Sequence, residues 1–116
     1  MKNDFGGHDN WHTNNVYAYV GQGIGFYDAP MIAGHEDHFE RNTLVMTGTN
    51  VGSFTCSGTG KTVISNNKYY TSTGDVSECG MALKDWQAKG EDAGSTVASI
   101  PDDATIIGWA KALLGF

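Results

Sequence analysis

The chain has 116 residues, a net charge of −6 and 16 glycines. That is room for one domain, and without a Lys/Arg run it lacks the clustered cations that hold a nucleic-acid backbone. No apolar stretch approaches the ~20 residues of a membrane span, and Met1-Lys2-Asn3-Asp4-Phe5-Gly6 carries no apolar signal-peptide core.

Residues 1–13 contain a turn-like Gly6-Gly7-His8-Asp9-Asn10-Trp11. From Asn14 to Val20 the pattern is a short strand. Its alternation puts Tyr17 and Tyr19 on one face and Val16, Ala18 and Val20 on the other. The second face is expected to point outwards, under some covering element. Gly21-Gln22-Gly23 is a turn, and Phe26-Tyr27-Asp28-Ala29-Pro30 closes the line. A second line follows through Arg41-Asn42-Thr43-Leu44-Val45-Met46, with a turn at Gly48-Thr49-Asn50. A third runs from Thr62 to about Cys79. Met81 to Gln87 reads as one or two helical turns, and Gly90 to Ser99 as a loop. Pro101 to Leu114 is a helix, with Pro and two Asp residues at its start and Ile106, Trp109, Ala110, Leu113 and Leu114 in one stripe.

The three lines share a period. With Asn15, Asn42 and Asn67 in one column, His12, Phe39 and Ile64 fall in register before them, and Ile24, Val51 and Val76 nine residues after them. Repeats of 25–27 residues, each too short to bury a core alone, are the mark of a stacked solenoid. The Asn column is then structural, occupying one bend where amides bond from coil to coil. An antiparallel sandwich is the plainer alternative, but it requires no common period. In this register Cys56 lies two places from Cys79, which favours a disulfide over two buried thiols. A disulfide would place the chain outside the reducing cytosol, as a processed product or a piece of something longer.

The lines Phe39-x-x-Asn42-x-Leu44 and Ile64-x-x-Asn67-x-Tyr69 resemble coils of right-handed parallel β-helix proteins of the pectate-lyase-like superfamily. The stretch Leu83-x-x-Trp86-Gln87-x-x-Gly90-x-Asp92-x-x-Ser95 resembles a tail segment that follows the last coils in many of them. The resemblance implies an all-β fold of about three right-handed coils over 8–80 and a tail with a capping helix over 81–116, in a single domain. That superfamily includes polysaccharide lyases, epimerases, hydrolases and non-catalytic fibre proteins.

Chemistry is expected on a ridge where His8 stands below His35 and Asp9 below Glu36. Those four residues could supply acid/base groups to a polysaccharide, with Arg41 or Lys61 neutralising a substrate carboxylate. Trp11, Tyr27 and Tyr70 could stack on sugar rings, with Asp37 and Lys61 beside them. His8, His35, Asp37 and His38 offer a metal-ligand set, and the carboxylates alone would suit Ca²⁺. The plainer reading of the ridge is a hydrogen-bonded turn ladder. Two functions therefore stand. One is an extracellular β-helix part that binds or processes polysaccharide. The other is a structural solenoid whose first coil stacks on upstream coils, on a second chain or on itself.

Overall fold

The computed structural model describes residues 2–3, 8–26, 32–58 and 60–116. Its elements are β1 (Lys2–Asn3), β2 (Trp11–Thr13), β3 (Val16–Val20), β4 (Ile24–Phe26), β5 (His38–Glu40), β6 (Thr43–Met46) and β7 (Gly52–Ser53). They continue as β8 (Val63–Ser65), β9 (Lys68–Thr71), β10 (Ser77–Glu78), β11 (Met81–Ala82), helix α1 (Leu83–Ala88), β12 (Thr96–Ser99) and helix α2 (Asp103–Leu114).

The strands form a parallel β-solenoid of about three turns. Sheet 1 has the order β2-β5-β8, sheet 2 β12-β9-β6-β3 and sheet 3 β1-β4-β7. Within each sheet the pairing is parallel, with Trp11 opposite His38 and His38 opposite Val63. Side chains alternate in and out, as the pleat requires. Phe39 and Ile64 point into the core from sheet 1, and Leu44 and Tyr69 from sheet 2; all four are buried in one cluster with Ile24, Met46, Val51 and Val76.

The corner between sheets 1 and 2 explains the Asn column. The residue before each rung has a left-handed backbone: Asn14 at φ 58°, Arg41 at 56°, Asn66 at 54° and Gly94 at 77°. That single residue turns the chain from one sheet to the next. The rung after it then bonds vertically. Asn42 Oδ1 accepts the Asn15 backbone N–H at 3.0 Å, Asn67 Oδ1 accepts that of Asn42 at 2.9 Å, and Ser95 Oγ accepts that of Asn67 at 2.8 Å. Asn67 Nδ2 also donates to the Phe39 carbonyl at 3.0 Å. Each bond satisfies a backbone group buried by the bend, and an unsatisfied one costs roughly 1–3 kcal/mol.

Ser95 is thus a fourth rung, so the expected loop over Gly90–Ser99 is corrected. Ala93 bridges Ser65, and β12 pairs in parallel with β9 along its whole length, starting a further winding. A serine replaces asparagine there because the rung needs only one short acceptor. Gly94 holds the left-handed corner there without strain, and a Cβ at this position would make the Asn66 side chain move aside.

The strict alternation read into Asn14–Val20 also fails. Tyr17 pairs with Leu44 and Val20 with Met46, so β3 holds one extra residue between them. Tyr19 takes φ 57° and absorbs this bulge. Val20 consequently packs against the core with Tyr17, while Tyr19 turns outwards.

The two helices have different jobs. Leu83 and Trp86 of α1 belong to the core cluster, so α1 plugs the end of the stack. The tail pattern now has a physical account. Gln87 Nε2 donates to the carbonyls of Asp92 and Ser95 at 2.9 and 2.8 Å; the Asp92 carboxylate accepts from Ser95 Oγ and from the Tyr69 hydroxyl. Helix α2, expected at the end or flank, lies on the flank against sheet 2. Its Asp103 carboxylate accepts from the Tyr19 hydroxyl at 2.5 Å, and its Trp109 ring lies 4.9 Å from that of Tyr70. Only Ile106 of the expected stripe is buried, and Leu113 and Leu114 are exposed. Cys56 and Cys79 form a disulfide with Cα atoms 5.9 Å apart, tying the segment after β7 to the β10–β11 turn.

Candidate functional site

Of the outward positions of sheet 1, Trp11 is exposed and the others are partly buried. Trp11 and His38 are direct partners across β2 and β5, and their rings stack at 3.5 Å with 6° between planes. Trp11 remains 57% exposed, so its ring is available as a platform. Two residues further along, on the same face of β5, Glu40 accepts from both sides. Its Oε1 is 3.2 Å from His38 Nδ1 and its Oε2 is 3.3 Å from Arg41 Nη1. Glu40 was not anticipated as part of the site, though its strand spacing of two from His38 carries that signal. At the far edge Lys61 pairs with Glu91, and both line a cleft of ≈ 250 Å³ with Ile64, Ser65 and Asp92.

Next to this face stands the ridge. Asp9 donates its backbone N–H to the His35 carbonyl at 3.1 Å, which holds one turn over the other. Asp9 Oδ2 lies 2.8 Å from Nδ1 of His8 and 2.8 Å from Nδ1 of His35. Those two hydrogen bonds hold the Asp9 carboxyl below its usual range. The histidine rings meet edge to face at 5.7 Å.

Other expected members stand elsewhere. Glu36 turns back to accept the Gly34 backbone N–H at 2.9 Å, which lowers its pKa, so it does not join Asp9. Asp37 is 1% exposed and accepts from the backbone N–H and the side-chain amide of Asn10, both at 2.9 Å. It is therefore a buried turn anchor rather than a surface ligand, because its carboxylate is aimed between coils. His38 is engaged by Trp11 and Glu40. Tyr70 is on the next wall, the outer face of sheet 2, where its ring packs against Trp109 instead of standing beside Trp11. Tyr27 lies outside the described residues. Among the described residues, one cluster of three metal-ligating side chains exists, His8, Asp9 and His35, with ligand atoms within 4.8 Å of one another. The carboxylates of Asp9, Glu36 and Asp37 face three different partners, an arrangement unsuited to an all-oxygen calcium site.

At the end of the stack that α1 covers, Glu78 of β10 is fully buried beside Asp92. Burial first, then the Asp92 carboxylate, pushes the Glu78 pKa up to about 10. Burial also raises the Tyr69 phenol well above its ordinary value. These groups belong to the end of the stack and not to the open face.

Comparison with family models, with curated proteins and with solved structures found no match. Among the described residues no helix is long and apolar enough to cross a membrane.

Proposed function

We propose that this solenoid binds an extended polysaccharide along the outer face of sheet 1, as part of an extracellular parallel β-helix protein. The observation that carries this reading is the exposed Trp11 ring, held flat by His38 beside the Glu40–Arg41 pair. An apolar ring face suits the C–H face of a sugar, and the flanking charged groups suit its hydroxyls and carboxylates. The left-handed corner with its vertical amide bonds supports kinship with the pectate-lyase-like β-helices, and the disulfide is compatible with an oxidising compartment. Processing of the bound chain would draw on His8, Asp9 and His35 next to this face.

Titration with uronate oligosaccharides, followed by tryptophan fluorescence, tests the binding. Saturable quenching that disappears in Trp11→Ala supports it; no change at millimolar sugar, or quenching unaffected by that substitution, overturns it. A turnover assay on uronate polymers with His35→Ala as control tests processing.

A second reading rests on a different observation. Among the described residues β2 and β3 have a neighbouring strand on one side only. Open parallel edges favour continued pairing, so the first coil would stack on further coils, a second chain or a second copy. Light scattering over a dilution series checks self-stacking: a mass that grows with concentration supports it, and a constant monomer mass opposes it.

A further inference from the structure

We propose that His8, Asp9 and His35 form a binding site for a zinc-class divalent metal that clamps the first turn of the solenoid to the second. Two imidazole nitrogens and one carboxylate oxygen converge from residues 26 and 27 apart in sequence, on successive turns. Both Nδ1 atoms already lie 2.8 Å from the same oxygen, Asp9 Oδ2. Zinc binds nitrogen and oxygen at about 2.0–2.2 Å, which places tetrahedral ligands about 3.3 Å apart. Ligand atoms all within 4.8 Å therefore need only side-chain rotations to close on one ion. All three residues are exposed, so such rotations meet little packing resistance.

The donor chemistry selects the metal. Imidazole suits zinc, copper and nickel, whereas calcium and magnesium want oxygen ligands. Three protein ligands in an exposed position leave a fourth site for water or for an oxygen of a bound molecule. The backbone supports the set, since the Asp9 N–H bond to the His35 carbonyl fixes the separation of the two turns. His38 is excluded by its stacking on Trp11, and Asp37 by its burial. This site stands whether or not sheet 1 binds a glycan.

The structural consequence is specific. Without metal, hydrogen bonds and the edge-to-face contact of His8 with His35 tie the N-terminal turn to its neighbour here. With metal, two bonds from the first turn (His8, Asp9) and one from the second (His35) meet on one ion, and the folded state gains stability that grows with metal concentration.

Calorimetric titration of the full chain with ZnCl₂ at pH 7.5 tests the proposal, with Co²⁺ absorption as a second readout of ligand geometry. One equivalent of metal should bind, with a melting temperature that rises with zinc. His8→Ala, His35→Ala and Asp9→Asn should each weaken binding by about tenfold or more, and His38→Ala should leave it unchanged. Because the three ligands are exposed, circular dichroism of each variant should match the parent. Absence of saturable binding at micromolar zinc would overturn the site. Binding retained in the His8→Ala/His35→Ala double variant, or an equal preference for Ca²⁺, would overturn it as well.

Discussion

The outer faces of sheets 1 and 2 are made by the same alternation, and their fates diverge. On sheet 2 the outward positions include Val45 and Tyr70, which are register partners. Val45 is fully buried, and Tyr70 lies against Trp109 of α2. On sheet 1 the outward positions carry Trp11, His38 and Val63, then Thr13, Glu40 and Ser65, and no helix crosses them among the described residues. Sheet 2 spends its outer face on stability. Sheet 1 keeps the Trp11 ring and the Arg41 guanidinium in contact with solvent, with His38 and Glu40 largely buried behind them. A wall that no helix crosses among the described residues, beside a helix-covered one, is the reason for locating function on sheet 1.

The comparison breaks if the covered wall does not depend on its helix. Ile106→Ala should cost about 2–5 kcal/mol in urea unfolding, as expected for a buried aliphatic side chain, while Trp11→Ala should stay within about 0.5 kcal/mol. Similar losses for both would erase the distinction.

The disulfide probes the third side, and the expected effect is of similar size. Replacing Cys56 and Cys79 by Ser opens a loop with a sequence separation of 23, which should remove about 3 kcal/mol. The outer face of sheet 1 should keep its ligand response under conditions where the variant is folded, as read by Trp11 fluorescence.

The buried end of the stack should add a pH dependence of its own. Glu78 titrates at about 10 when folded against 4.5 as its ordinary value. The folded state therefore holds this proton more tightly. Its contribution is complete below about pH 4.5 and is lost as pH rises towards 10. Urea midpoints should fall between pH 5 and pH 9, and Glu78→Gln should flatten that fall.

The smallest effect concerns the corner. Arg41 adopts φ 56° where Asn14, Asn66 and Gly94 stand in the other turns. A left-handed backbone costs an ordinary residue about 1–2 kcal/mol, and Asn bears it more easily. Arg41→Asn should thus stabilise by up to about 1 kcal/mol in urea unfolding, while weakening carboxylate binding on sheet 1. That opposition would mark Arg41 as kept for its charge.

Much of this architecture was legible from residue order. An amide at one corner every 25–27 residues, with apolar residues at matching offsets, implies stacked turns because the bend buries backbone groups that need a short side-chain acceptor. Pairing of the two cysteines followed from the same register, as did the vertical relation of His8 to His35. The fourth rung escaped because Ser95 offers the same acceptor under another residue name. The bulge at Tyr17–Val20 escaped because strand alternation cannot register an extra residue until a partner strand counts it. The site was only partly visible for a related reason. Column positions tell which residues stand above one another, but not which way a carboxylate turns, so Glu36 and Asp37 looked equivalent to Asp9.

Local chemistry, repeated at a fixed interval, was therefore enough to specify that the chain winds and where it bends. Long-range packing alone decided the rest. It placed α1 inside the end and α2 on one wall, and among the described residues set no helix on the other, because an amphipathic stripe states how much must be buried and not against what.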